Sequence, residues 1–129
     1  MLSSFTPLQI LFWSLAAVLG VFGRYGFEVF FVKILGSSFW SGTLAANLVG
    51  AFLIGLFYAV KGQFSDEFYF GIVFCFLGSL TTFSTFSLQA SQFIEGDRSL
   101  ISIFSFLFGV PVLSLIFVFL GQYLGRILD

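Results

Sequence analysis

Histidine is absent from this chain, which removes the side chain that most often shuttles protons near neutral pH and most often ligates metals. Cysteine occurs once, as Cys75, so no disulfide can form within the chain; thiolate chemistry is disfavoured in apolar surroundings, and Cys75 reads as packing. Charge is scarce, at 9% of residues with a net of −1, leaving no basic footprint for nucleic acid. A P-loop, a GxGxxG turn and an HExxH pair are all missing, and with them the usual marks of nucleotide or zinc-hydrolase chemistry. The chain offers no residues for a covalent or redox intermediate, so no enzymatic activity is expected.

What is present is apolar surface. Hydrophobic residues make up 59% of the 129 positions and aromatics 22%, with a mean hydropathy of +1.10. A transmembrane helix needs about 20 mostly apolar residues, and the few charges divide the chain into four such segments, roughly 8–32, 39–60, 68–94 and 100–124. An all-α membrane protein of four spans in a single transmembrane domain is expected. The first span lacks a basic leader region, and three more follow it, so it reads as a mature helix rather than a signal peptide.

Lys and Arg normally accumulate in cytoplasmic loops and so fix orientation. Here Lys61 and Arg126 fall on the side of both termini, Lys33 and Arg98 on the other, and Arg24 inside the first span. That balance leaves two readings: another signal orients the chain, or copies insert both ways and pair as an antiparallel dual-topology homodimer. Small residues at spacing four, Gly42, Ala46 and Gly50 on the second span and Gly121 and Gly125 on the fourth, permit close helix approach, either between copies or within one chain.

The spans are interrupted by polar residues in one place above all. GSLTTFSTFS, residues 78–87, carries six hydroxyl side chains in ten positions. Non-helical backbone at membrane depth is tolerated only against protein or a polar cavity, and glycine with back-bonding hydroxyls predicts a disturbed helix around residues 78–82. An intact helix with back-bonded hydroxyls is the other reading. Phe83 and Phe86 follow at spacing three, and their electropositive ring edges could face a small anion, although spacing alone says little among 22 phenylalanines. Asn47, the only asparagine, shares a face of the second span with Thr43. An intramembrane amide is either a structural interhelical bond or a functional donor. Arg24 and Glu28 stand one turn apart near the end of the first span, either as a neutralising pair or with Arg24 lining an anion vestibule.

Two segments, GTLAANLVGAFLIG (residues 42–55) and FLGSLTTFSTFS (residues 76–87), closely resemble the Fluc-type fluoride channels, the CrcB family. The resemblance implies a multi-pass protein of the bacterial inner membrane, surrounded by lipid. It implies an antiparallel homodimer with the third helix broken mid-membrane, two fluoride pathways and a central structural Na⁺. By position it places the sodium ligands on the backbone carbonyls of Gly78 and Thr81 and the fluoride-facing rings on Phe83 and Phe86. It places the pore asparagine on Asn47, pore hydroxyls on Thr43 and Ser114, further polar lining on Ser84 and Thr85, and the vestibule arginine on Arg24. Two departures stand out: Ser79 replaces a second glycine, and Phe106 occupies the position of a pore-side tyrosine on a fourth helix otherwise poor in hydroxyls. The expected activity is passive fluoride export. The alternative is a proton-coupled small-solute exporter of the small multidrug-resistance type. It needs a deep titratable carboxylate, and Glu28 is the only acid within a span. A packing-only accessory subunit would leave the hydroxyl cluster without a purpose.

Overall fold

The computed structural model describes residues 5–128, and every regular element among them is helical. Helix α1 (Pro7–Ile34) opens with Thr6, whose hydroxyl accepts from the Gln9 N–H at 3.2 Å while the Gln9 side chain accepts from the Thr6 N–H at 3.0 Å. This reciprocal cap, with proline in the first turn, satisfies donors that an isolated helix leaves open. Its last six residues, Val29–Ile34, widen to π-helical turns. Helix α2 (Ser41–Ala59) follows, then α3 (residues 66–80), α4 (Phe83–Glu95) and α5 (Leu100–Leu128). Taking α3 and α4 together, four helical segments among the described residues are long and apolar enough to cross a membrane.

Two interfaces dominate the packing of these helices, and small residues set both. Helix α2 packs mainly along α5, and α1 along α3. On α5, a Cβ at Gly121 would run into the Phe52 carbonyl oxygen, and one at Gly125 would lie 2.6 Å from Ala59 Cβ; Gly55 of α2 likewise faces the Val118 carbonyl. On the other side Gly20 lies against the Phe76 carbonyl, and the Phe12 ring covers Gly71. The glycine spacings on α2 and α5 therefore serve packing within one chain. Where each helix must approach backbone rather than a side chain, there is no room to yield. Gly121→Ala should cost about 1–3 kcal/mol, as overpacking usually does, and lower the melting temperature of the purified protein followed by tryptophan fluorescence. An unchanged melting temperature would mean the α2–α5 seam opens freely.

The Trp13 indole donates to the Glu67 carbonyl at 3.1 Å, fastening α1 to the start of α3. Ser65 caps α3 by accepting from the Phe68 N–H at 3.3 Å. The centre of the α1–α2–α3 packing is Ala46, Leu77 and Leu80, all essentially buried. That cluster fixes the end of α3, and the chain leaves helical conformation directly after it.

Candidate functional site

Thr81 and Thr82 have extended backbones (φ −83°, ψ 154° and φ −152°, ψ 125°) between the last turn of α3 and the first of α4. The turn before them is already wide: residues 71–77 wind with π-helical hydrogen bonding, and the Gly78 N–H reaches back to the Val73 and Cys75 carbonyls. Thr81 closes α3 with both its N–H and its hydroxyl on the Leu77 carbonyl, each at 2.9 Å. In a continuous helix the Thr82 N–H would donate to the Gly78 carbonyl. Here it donates to Asn47 Oδ1 at 2.8 Å, and the Thr82 carbonyl accepts from Asn47 Nδ2 at 3.1 Å. The side-chain amide of Asn47 thus pairs with one backbone unit as a second strand would. Thr85 N–H, which would have donated to the Thr81 carbonyl, is taken by the Thr82 hydroxyl at 3.2 Å as the cap of α4. The carbonyls of Gly78 and Thr81 are thereby released from their helical partners.

The crossing of α2 over this segment is as close as its residues allow. A Cβ on Gly50 would collide with the Thr81 methyl, and Thr43, Ala46, Asn47 and Gly50 lie on one face of α2 by the 3.6-residue repeat. Beside the break a groove of about 560 Å³ is lined by Asn47, Gly78, Thr81, Thr82, Phe83, Phe86 and Ser114, with aliphatic residues of α2 and α5 between them. A second hollow of about 400 Å³ adjoins it past the same Phe83 and Phe86 rings and runs toward Ser87, Ser91 and Glu95. The two rings, 5.9 Å apart between centroids and tilted by 44°, stand where the hollows meet. They differ sharply in setting. Phe86 is 7% exposed and stacks on Phe106, whereas Phe83, in the first turn of α4, is 78% exposed.

The other expected residues are not all in this groove. Thr43 is 2% exposed, and its hydroxyl oxygen accepts from Gln89 Nε2 at 2.8 Å. Ser84 and Thr85 flank the break and turn their hydroxyls to Thr82, at 3.2 and 3.3 Å. Ser114 lines the groove but donates its proton to the Val110 carbonyl at 2.9 Å. Arg24 is half-buried on the stripe that begins with Ala16 and Gly20 of α1. Glu28, one turn on, directs its carboxylate to the first turn of α2: Oε2 lies 2.7 Å from where a Cβ of Gly42 would stand. A helix N-terminus favours that charge.

Two residues that carry this geometry are not singled out by the sequence. Thr82 is hidden among its hydroxyl neighbours. Gln89, 5% exposed, bonds both Thr43 and the Phe39 carbonyl, the latter at 3.3 Å. Its signal is present: Phe86, Gln89, Ala90 and Phe93 fall at helical spacing on one buried stripe, and an amide within an otherwise apolar stripe requires partners.

Comparison with known proteins matches residues 11–122 to the family described as CrcB-like protein, Camphor Resistance (CrcB). The chain belongs to the CrcB family. This CrcB chain is 41% identical over 105 residues, 79% of its length and 85% of the relative's, to a protein of Citrifermentans bemidjiense named fluoride-specific ion channel FluC. Proteins of the same name from Geotalea uraniireducens and Dehalococcoides mccartyi match at 35% and 36% identity, over 92% and 93% of this CrcB chain and 98% and 94% of their own. With four membrane-length apolar helices, this CrcB chain is a multi-pass membrane protein.

Proposed function

We propose that this chain is a fluoride channel that lets the ion leave the cytoplasm passively, down its electrochemical gradient, in the inner membrane of a bacterium. One observation carries the reading. In a chain whose relatives are named fluoride-specific ion channels, the Phe83 and Phe86 rings and the Asn47-braced break line one groove. Fluoride is small and tightly hydrated, so a pathway must replace its shell with close donors. Ring edges carry the positive end of the aromatic quadrupole, and an Asn amide keeps a second N–H after bonding Thr82. Thr43 contributes indirectly: because it accepts from Gln89, its own O–H is left as a donor.

A groove open along one side needs a second wall, and a copy of the same chain is the simplest one. Phe83, bare in the single chain, would be covered by it. Two Lys or Arg residues on each side of the membrane allow the copies to insert in opposite directions, giving an antiparallel homodimer whose broken segments meet at mid-membrane. The Gly78 and Thr81 carbonyls, freed of their helical N–H partners, suit a hard monovalent cation. They would hold a structural Na⁺, which neutralises the carbonyl dipoles gathered there. Arg24 would line the vestibule and raise the local anion concentration; no ion pair within the chain engages it among the described residues.

The test is fluoride efflux from vesicles containing only the purified protein, read with a fluoride electrode. Efflux driven by membrane potential without a proton gradient is the expected result. Strict dependence on that gradient would favour a proton-coupled exporter, a reading that Glu28 serves poorly from its place against Gly42. Fluoride-tight vesicles holding folded protein would end the proposal.

A further inference from the structure

Phe86 is one end of a column of rings that leaves the groove and reaches the surface. Its ring centroid is 5.4 Å from that of Phe106, with the planes 27° apart. Phe106 lies 4.8 Å from Phe93, within 13° of parallel. Over the outer face of Phe93 stands the guanidinium of Arg98, with Cζ 4.2 Å from the ring centroid. The Trp40 ring meets Phe106 from the side at 5.8 Å and 67°. All three phenylalanines are buried. The short turn after α4 is shaped to bring the arginine back: Asp97 adopts φ 48°, and Arg98 Nε passes 3.7 Å from where a Cβ of Gly96 would stand.

We propose that Arg98 is a positioning residue for anion recognition, setting the affinity of Phe86 for fluoride through Phe93 and Phe106. This rests on the fluoride reading of the Phe83–Phe86 groove. A cation over a ring face is attracted by its π density and draws that density outward. Nearly parallel rings pass the displacement along, leaving the edge of the last ring more positive where it meets the anion. The same stack holds the Phe86 plane in place, since rotation of that ring would open a gap against Phe106. The blander role of Arg98, a surface charge favourable near the C-terminus of α4, makes different predictions.

The measurement is the fluoride concentration giving half-maximal flux in vesicles, at about 20 mM and about 300 mM potassium gluconate, which span about 20 to 6 Å of screening length. Arg98→Gln should raise that concentration about two- to five-fold, the range expected for one exposed cation–π contact, and equally at both salt levels. Arg98→Lys keeps the cation and should stay within about two-fold of the parent, as judged on the same scale. Phe93→Leu breaks the column with Arg98 still present and should reproduce the Arg98→Gln shift, and the double variant should show no further loss, as coupled residues do. An Arg98→Gln effect that vanishes at high salt, an unchanged affinity, or additive effects of the two substitutions would each overturn the proposal. If Phe93→Leu melts below the assay temperature, Phe93→Tyr, which retains a ring, should keep the parent affinity, and a shift with it would count against the column. A parent channel that passes no fluoride, or whose flux survives Phe86→Ile, would instead remove the underlying reading of the groove.

Discussion

Asn47→Asp should lower fluoride flux at least tenfold, because the substitution removes the donor on which the break between α3 and α4 depends. Aspartate can still accept from the Thr82 N–H, but it sets a carboxylate oxygen against the Thr82 carbonyl, where the amide Nδ2 now donates at 3.1 Å. An unsatisfied buried acceptor costs about 1–3 kcal/mol, and more beside a charge. The acceptor-only carboxylate also withdraws the one remaining N–H from the groove. The variant should therefore melt below the parent at neutral pH. Protonating the introduced carboxyl restores a single O–H donor toward the Thr82 carbonyl, so the deficit is present where that group is ionised and shrinks as pH falls. Melting curves at pH 8 and pH 5 check this: a smaller gap to the parent at the lower pH is expected. Parent-like flux and stability at pH 8 would show that the Asn47–Thr82 pairing is dispensable.

Phe83→Ile and Phe86→Ile should each abolish most fluoride flux, but by routes that stability separates. Phe86 is buried in the column against Phe106, so its replacement combines the loss of the proposed anion-facing edge with a packing defect. Truncation of a buried side chain costs from about 0.5 to several kcal/mol according to how far the site collapses. Phe83 is 78% exposed in the single chain, where its ring contact is with Phe86. Its replacement should leave most of the monomer's packing intact, and a collapse of flux with an unchanged elution volume would be attributable to the lost ring edge rather than to loss of the second copy. Flux measured by fluoride electrode, beside melting temperature and elution volume of the same samples, gives the comparison. Undiminished flux in both variants would remove the aromatic role.

The four spans were legible because hydropathy and charge placement are local properties of the chain. The hydroxyl-rich decapeptide was equally visible, and the groove gathers Gly78, Thr81, Phe83 and Phe86 from it. How the backbone would move there was not legible in detail. The site of extended conformation, Thr81 and Thr82, depends on Asn47, 35 residues earlier, and on Gly50 admitting the Thr81 methyl. Neither follows from the periodicity of α3 or α4. Gln89 was missed for a related reason: a glutamine has no meaning in a stripe until its partner is known, and Thr43 comes from another helix. Arg98 read as a loop charge bearing on orientation, since only the fold brings it over Phe93.

The pairing of Asn47 with the main chain of Thr82 also constrains how the protein can be made. A third segment entering the bilayer alone would present two extended residues to hydrocarbon, where each unmet polar group costs several kcal/mol. Its complement resides on the segment synthesised just before it, so the amide is already waiting when residues 81 and 82 leave the ribosome. Biogenesis is thus expected to proceed by hairpins rather than by single helices, with the second segment acting as a template for the irregular one that follows.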